Sequence, residues 1–260
     1  MPEDGWTELH EVAAANATEQ VRALIEAGAE IEARNADGKS PLLCAASSNA
    51  PEAIRALTEA GAEIEARDGK GVSALDWAAI ANAPEAIRAL IAADAKVDSR
   101  DAAGQSPLHF AAALNNPEAI RSLIEAGAEI EARDAAGKSP LLSAAAENAS
   151  EAIRALAEAG ADSNARDGKN LAPLHWAAVA NATEAILALV EAGGDIEARD
   201  GDGQSPLHCA VGLCATEAIH TLMEAGADIE ARTASGITPR DLVANHEDPE
   251  TVRALLKLLN

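Results

Sequence analysis

The 260-residue chain has only three cysteines, Cys44, Cys209 and Cys214. Their number is odd and their spacing shows no disulfide framework, which suits a reducing compartment. No apolar run approaches the roughly 20 residues of a membrane helix. The opening residues Met1-Pro2-Glu3-Asp4-Gly5 are acidic and lack the apolar stretch of a signal peptide. A soluble, cytoplasmic protein is expected. Cations are scarce, with 20 Lys and Arg against 43 Asp and Glu, a net charge of −23. A field of that sign repels nucleic acid and anionic membrane; it either keeps the surface soluble or attracts basic proteins or cations. Reaction motifs are missing as well: there is no P-loop, no GxSxG and no HExxH element. Cys209 and Cys214 are five apart, which makes neither a CxxC site nor an easy disulfide. No catalytic residue, metal ligand or cofactor is expected.

What is present is a strict period of 33 residues without insertion or deletion. Ser40-Pro41-Leu42 recurs as Ser73-Ala74-Leu75, Ser106-Pro107-Leu108, Ser139-Pro140-Leu141, Ala172-Pro173-Leu174, Ser205-Pro206-Leu207 and Thr238-Pro239-Arg240. Thr7-Glu8-Leu9 takes the same slot earlier, giving eight copies. A period of this size means a stacked solenoid in which each unit buries its apolar face against its neighbours.

Residues 101–133 show how one copy folds. Gly104 closes a tight turn, and Ser106-Pro107 reads as an N-cap followed by proline at the first helical position. A short helix runs to about Leu114, where Asn115 adopts the left-handed conformation that ends it. Pro117 and Glu118 open a second helix, with Ile120, Leu123 and Ile124 as its buried stripe. Gly127 stops it, and an extended stretch leads to the next turn.

Two recurring elements, seen in Gly203-Gln204-Ser205-Pro206-Leu207-His208 and Leu222-Met223-Glu224-Ala225-Gly226-Ala227-Asp228, make the chain similar to ankyrin-repeat proteins over its full length. The resemblance implies an all-α repeat solenoid of stacked helix-turn-helix units with projecting loops. It forms one domain, 1–260, with an N-terminal cap repeat at 1–34, six internal repeats at 35–232 and a C-terminal cap repeat at 233–260. The polar Glu8, His10 and Glu11 at one end, and Arg240 and Asp241 at the other, fit faces that no neighbour covers, so a complete domain is expected. The resemblance also makes the histidines after Pro-Leu (His109, His175, His208) structural, bonding across neighbouring turns. Departures are local. Asn replaces the usual inter-helix glycine at 16, 49, 82, 115, 148 and 181, as its left-handed tolerance allows. Asp94 replaces a C-cap glycine, Asn170 a turn glycine and Ala172 a Ser/Thr N-cap.

Copies three apart match best: Lys39, Trp77 and Ile80 with Lys138, Trp176 and Val179, and Gln105, His109 and Leu114 with Gln204, His208 and Leu213. The pattern reads either as a surface displayed twice or as tandem duplication alone. Within each first helix, the face of Leu75, Ala78 and Ala79 stays small and apolar and must pack on the second helix. The opposite face varies. The resemblance implies that partners bind along this inner, concave face and the loop tips. The candidate partner-binding residues are Trp77, Ile80, Phe110, Leu114, Trp176, Val179 and Leu213, because contiguous apolar groups facing solvent mark a binding surface. The aromatics have a second reading, as side chains packed between successive helices. Ile80, Leu114, Val179 and Leu213 are harder to bury. Trp6 reads as a lid on the first copy, and Glu147 is the one charge in the strip. Glu63, Glu65, Glu129, Glu131, Asp195, Glu197, Asp228 and Glu230 form an acidic ladder expected to be a solvated edge. The expected function is a non-catalytic protein-protein interaction module, monomeric, binding another protein through the concave face. The alternative is an acidic decoy or chaperone that holds a basic protein by surface charge.

Overall fold

The computed structural model describes residues 5–243, 253 and 255–257. Residues 1–4, on which most of the leader expectation rests, and most of the last copy's second helix lie outside the described residues. Among the described residues there is no strand; fifteen helices have both ends described, and residues 253 and 255–257 are helical as well. The fifteen alternate in length. The first helices of successive copies are α1 (Glu8–Ala14), α3 (Pro41–Ser47), α5 (Ala74–Ile80), α7 (Pro107–Ala113), α9 (Pro140–Ala146), α11 (Pro173–Val179), α13 (Pro206–Gly212) and α15 (Pro239–Val243). The second helices are α2 (Thr18–Glu26), α4 (Pro51–Glu59), α6 (Pro84–Ala92), α8 (Pro117–Glu125), α10 (Ser150–Glu158), α12 (Thr183–Glu191) and α14 (Thr216–Glu224).

The chain forms two compact units. The first ends at Glu129 and the second begins at Ile130, with Ala112–Asn115 belonging to the second. In the first unit α1, α3 and α5 pack in sequence, as do α2, α4, α6 and α8. In the second, α9, α11, α13 and α15 form one layer and α10, α12 and α14 the other. The core lies between the layers and is built from small repeated pieces. Leu75, Ala78 and Ala79 are buried, as are Ile54 and Leu57 on α4 and Ile153 and Leu156 on α10. On α8 the buried face is Ala119, Ile120, Ser122 and Leu123, while Ile124 is only half-buried. The i+3/i+4 stripe is therefore corrected: a second helix packs on its own first helix and on the neighbouring second helix, so the small Ala119 and Ser122 flanks are covered in preference to Ile124.

Helix ends follow the sequence. Ser40, Ser73 and Ser139 accept hydrogen bonds from the third helical amide at 3.4, 3.2 and 3.4 Å, satisfying a donor that the helix leaves free. Asn16, Asn49, Asn82, Asn115, Asn148 and Asn181 all have φ between 52° and 58°, and Cys214, unforeseen, takes the same slot at φ 55°. Asp94 and Asn170 adopt φ 66° and 64° in their glycine slots. At Ala172 the hydroxyl is lost: His175 Nδ1 accepts only the Ala172 amide, at 3.2 Å, whereas His208 Nδ1 faces both the Ser205 amide and its hydroxyl. Ala172→Ser is expected to raise stability by about 0.5–2 kcal/mol, measured as the urea midpoint. A midpoint unchanged or lowered would show that the cap slot is misassigned.

Candidate functional site

The loops are built from residues that bond one turn to the next. Asn35, Asp68, Asp101, Asp134, Asp167 and Asp200 each accept two backbone N–H groups of their own turn through Oδ1, as Asp68 does from Lys70 and Val72 at 2.8 and 2.9 Å. The arginine just before each turn reaches further. Arg34 donates to Gly38 O and to Arg67 O, one period on; Arg67 repeats this toward Gly71 O and Arg100 O. Arg133, Arg166 and Arg199 do the same in the second unit. The acidic ladder is likewise more than a solvated edge, which corrects the expectation. Glu65, Glu131 and Glu197 accept the backbone N–H of Lys96, Asp162 and Asp228 at 2.9, 2.9 and 2.7 Å. These carboxylates tie one copy to the next.

Between second helices the inter-helix asparagines bridge copies. Asn49 Oδ1 accepts the Ala86 amide at 2.9 Å, and its Nδ2 donates to Glu85 at 2.6 Å. Asn16, Asn82, Asn148 and Asn181 repeat the pair with Glu52, Glu118, Glu184 and Glu217. The amide hydrogen bond holds each of these glutamates below its usual pKa. Their contribution is therefore present above the ordinary carboxylate range and is lost as pH falls through the lowered folded value.

The histidines after Pro-Leu are committed to structure. Nε2 of His10, His175 and His208 donates to Lys39 O, Gln204 O and Ile237 O in the following turn, at 3.0, 3.0 and 3.1 Å. Burial holds His175 and His208 below the usual imidazole pKa. Trp6 packs on the first of these rings, 5.4 Å from the His10 centroid.

On the variable first-helix face, the first unit presents Trp77, Ile80 and Phe110, all half-buried. The Trp77 indole N–H donates to Asp68 Oδ2 at 3.0 Å, and Lys39 Nζ lies 3.3 Å from its ring centroid. In the second unit Trp176 repeats this with Asp167 and Lys138, at 3.0 and 3.5 Å. The three-copy period thus duplicates a Lys–Trp–Asp cluster, and both tryptophans are anchored at one edge while still half open. The aliphatic residues differ. Leu114 is 51 % exposed, Val179 41 % and Leu213 59 %, whereas Ile80 is half-buried. Glu147 stands exposed at the C-terminus of α9.

Val179 and Leu213 meet at a recess of about 310 Å³ in the second unit, walled also by Gly212 and Leu242. Gln204, His208 and Cys209 line it too. The His208 ring is held by Ser205 and Ile237, and burial pushes the Cys209 thiol up to about 12, so it stays protonated. Gln204, Gly212 and Leu242 are not among the candidate binding residues named from the sequence. Gly212 carried a signal, being the glycine in a slot that holds Ile80 and Val179 elsewhere. Openings of about 380, 330 and 170 Å³ on the second-helix side recur between α4 and α6, α6 and α8, and α10 and α12. Their recurrence from copy to copy marks them as packing seams. Leu187, 49 % exposed on α12, occupies the slot of Arg154 and was also unforeseen.

Among the described residues no helix is long and apolar enough to cross a membrane, and no group of His, Cys, Asp and Glu is arranged to hold a metal ion. A family model described as ankyrin repeats (3 copies) matches residues 2–68, 75–167 and 166–233. No curated protein matches the chain.

Proposed function

The chain belongs to the ankyrin-repeat family, and from that premise we propose that it binds another protein through the concave, first-helix side of a single repeat domain. Ankyrin repeats are in general protein-protein interaction modules and typically non-catalytic. The observation that carries the reading is the exposure of Leu114, Val179 and Leu213 on the variable face of the first helices. Aliphatic side chains held in water gain by being covered, about 25 cal/mol per Å² buried, and exposed apolar groups gathered at a recess mark an interaction site. Trp176 in the second unit, and Trp77, Ile80 and Phe110 in the first, take the corresponding face of their own first helices.

Leu114→Asp and Leu213→Asp test it. Exposed substitutions change stability by about 0.5 kcal/mol or less, so helical content should hold while capture of the native partner from cell extract is lost. Unfolding by either variant would assign the residue to the core. The second reading, an acidic surface that holds a basic protein, is favoured by the net charge of −23. It predicts the opposite pair of results, with capture indifferent to both substitutions and abolished by salt, which screens exposed charges beyond roughly 3 Å at 1 M.

A further inference from the structure

Gly212 is the last residue of α13 and does not adopt a positive φ. A Cβ built there would meet nothing within 4 Å. Neither the backbone nor a neighbouring atom requires glycine, and glycine in a helix costs roughly 0.5–1 kcal/mol relative to alanine. What its missing side chain supplies is open volume between Val179, Leu213 and Leu242, the recess of about 310 Å³. That size is at the bottom of the roughly 300–1,000 Å³ range of small-molecule pockets, and suits an inserted side chain better than a cofactor. Val179, Leu213 and Leu242 give it an aliphatic side, alongside the half-buried Gln204 and Cys209 and the buried His208.

The charge around it is equally specific. The second unit's Arg133, Arg166 and Arg199 are drawn into the loop ladder, and Lys138 lies over Trp176. Glu147 is exposed in the slot that Leu213 holds two copies later. At 8–10 Å per packed helix layer, two copies span roughly 16–20 Å, or about six residues of extended chain. We propose that the Gly212 recess takes one aliphatic side chain of a basic partner segment, whose Lys or Arg about six residues away pairs with Glu147. The proposal rests on the protein-binding reading above and names the chemistry of its partner. The net charge of −23 draws such a segment in, and the recess gives it register.

The test uses synthetic peptides titrated into the full chain and followed by the amide resonances of Gly212, Leu213 and Glu147. One carries a leucine and, about six residues away, a lysine pair on a serine background. The controls replace the leucine by serine or the lysines by glutamate. The leucine-lysine peptide should shift all three resonances, and each control should bind at least about tenfold more weakly. Gly212→Val copies the residue found in this slot one copy earlier. It should weaken the leucine-lysine peptide at least about tenfold while leaving the melting temperature equal or higher. Glu147→Gln should reduce affinity and its salt dependence together. Equal binding of the leucine-lysine peptide to wild type and Gly212→Val overturns the proposal, as does equal binding of the serine control. If Gly212→Val still captures the native partner and Leu114→Asp does not, the recess reading fails while the protein-binding reading stands.

Discussion

Gly38→Ala is expected to be among the most damaging single-methyl additions to this chain, and the same change one period later should be mild. Gly38 sits at φ 75°, and its Cβ would lie 2.6 Å from the backbone N of Gly69 and 3.1 Å from its Cα. No flexible atom is there to give way. The two turns must separate, which breaks the 3.3 Å hydrogen bond from the Gly69 amide to Asp37 O and disturbs the Arg34 bridge beside it. Left-handed strain costs about 1–3 kcal/mol by itself. With the clash and the lost bridging bonds, the total should exceed about 3 kcal/mol, in the range of the severe mutations. Gly71 is the internal control. It has φ 81° but nothing within 4 Å of its Cβ, so Gly71→Ala should show the strain alone. Asn170, a non-glycine residue in this slot, shows that such strain is tolerated. Chemical denaturation of both variants decides: equal losses would mean that backbone conformation, not close approach, makes Gly38 a glycine.

The second large effect is a gain, from Asp76→His. Asp76 occupies the slot of the structural histidines on α5 and is completely buried. Its Oδ2 accepts from the Ser73 amide and hydroxyl at 3.0 and 2.7 Å and from Arg67 at 3.4 Å. Its Oδ1 has no partner. Burial raises the pKa of this carboxyl; the Ser73 bonds and Arg67 oppose the shift, and Asp101 adds to it. A raised folded pKa means that the native state holds the proton more tightly than the unfolded chain. The stability tied to that proton is fully present below the ordinary aspartate pKa and is lost as pH rises through the folded value. At neutral pH the protein therefore bears the cost of a buried charge. Histidine here would accept from Ser73 through Nδ1, and its Nε2–H would point toward the next turn, as in His175 and His208. Removing the orphaned oxygen is expected to add about 1–3 kcal/mol at mildly alkaline pH, where the imidazole is neutral. The wild type should also lose stability as pH climbs out of the carboxylate range, and the variant should not. A variant less stable than wild type at alkaline pH would mean that the Ser73 and Arg67 bonds outweigh the burial cost.

Both effects sit at positions whose identity is visible in the sequence but whose consequence is not. Gly38 and Gly71 look alike as turn glycines, and Asp76 looks like a capping residue. The glutamates of the acidic ladder conceal their role for a related reason. A carboxylate's hydration predicts a solvated edge, and nothing local says that Glu65, Glu131 and Glu197 face a free amide 31 residues on. Trp77 and Trp176 had two readings in the sequence, and the Asp68 and Asp167 hydrogen bonds anchor one edge of each ring while leaving the rest half open.

The sequence by itself determined the 33-residue unit, its two helices and their ends. Those depend on residues with strong local preferences: serine and proline at helix starts, asparagine and glycine at left-handed ends, and alanine-leucine faces with helical spacing. Only the tertiary structure decided which side chains cross between copies and where open space remains. The arginine ladder, the asparagine-glutamate bridges and the recess over Gly212 depend on how neighbouring copies are placed against each other. That placement is the sum of many small packing contacts, so no single residue announces it.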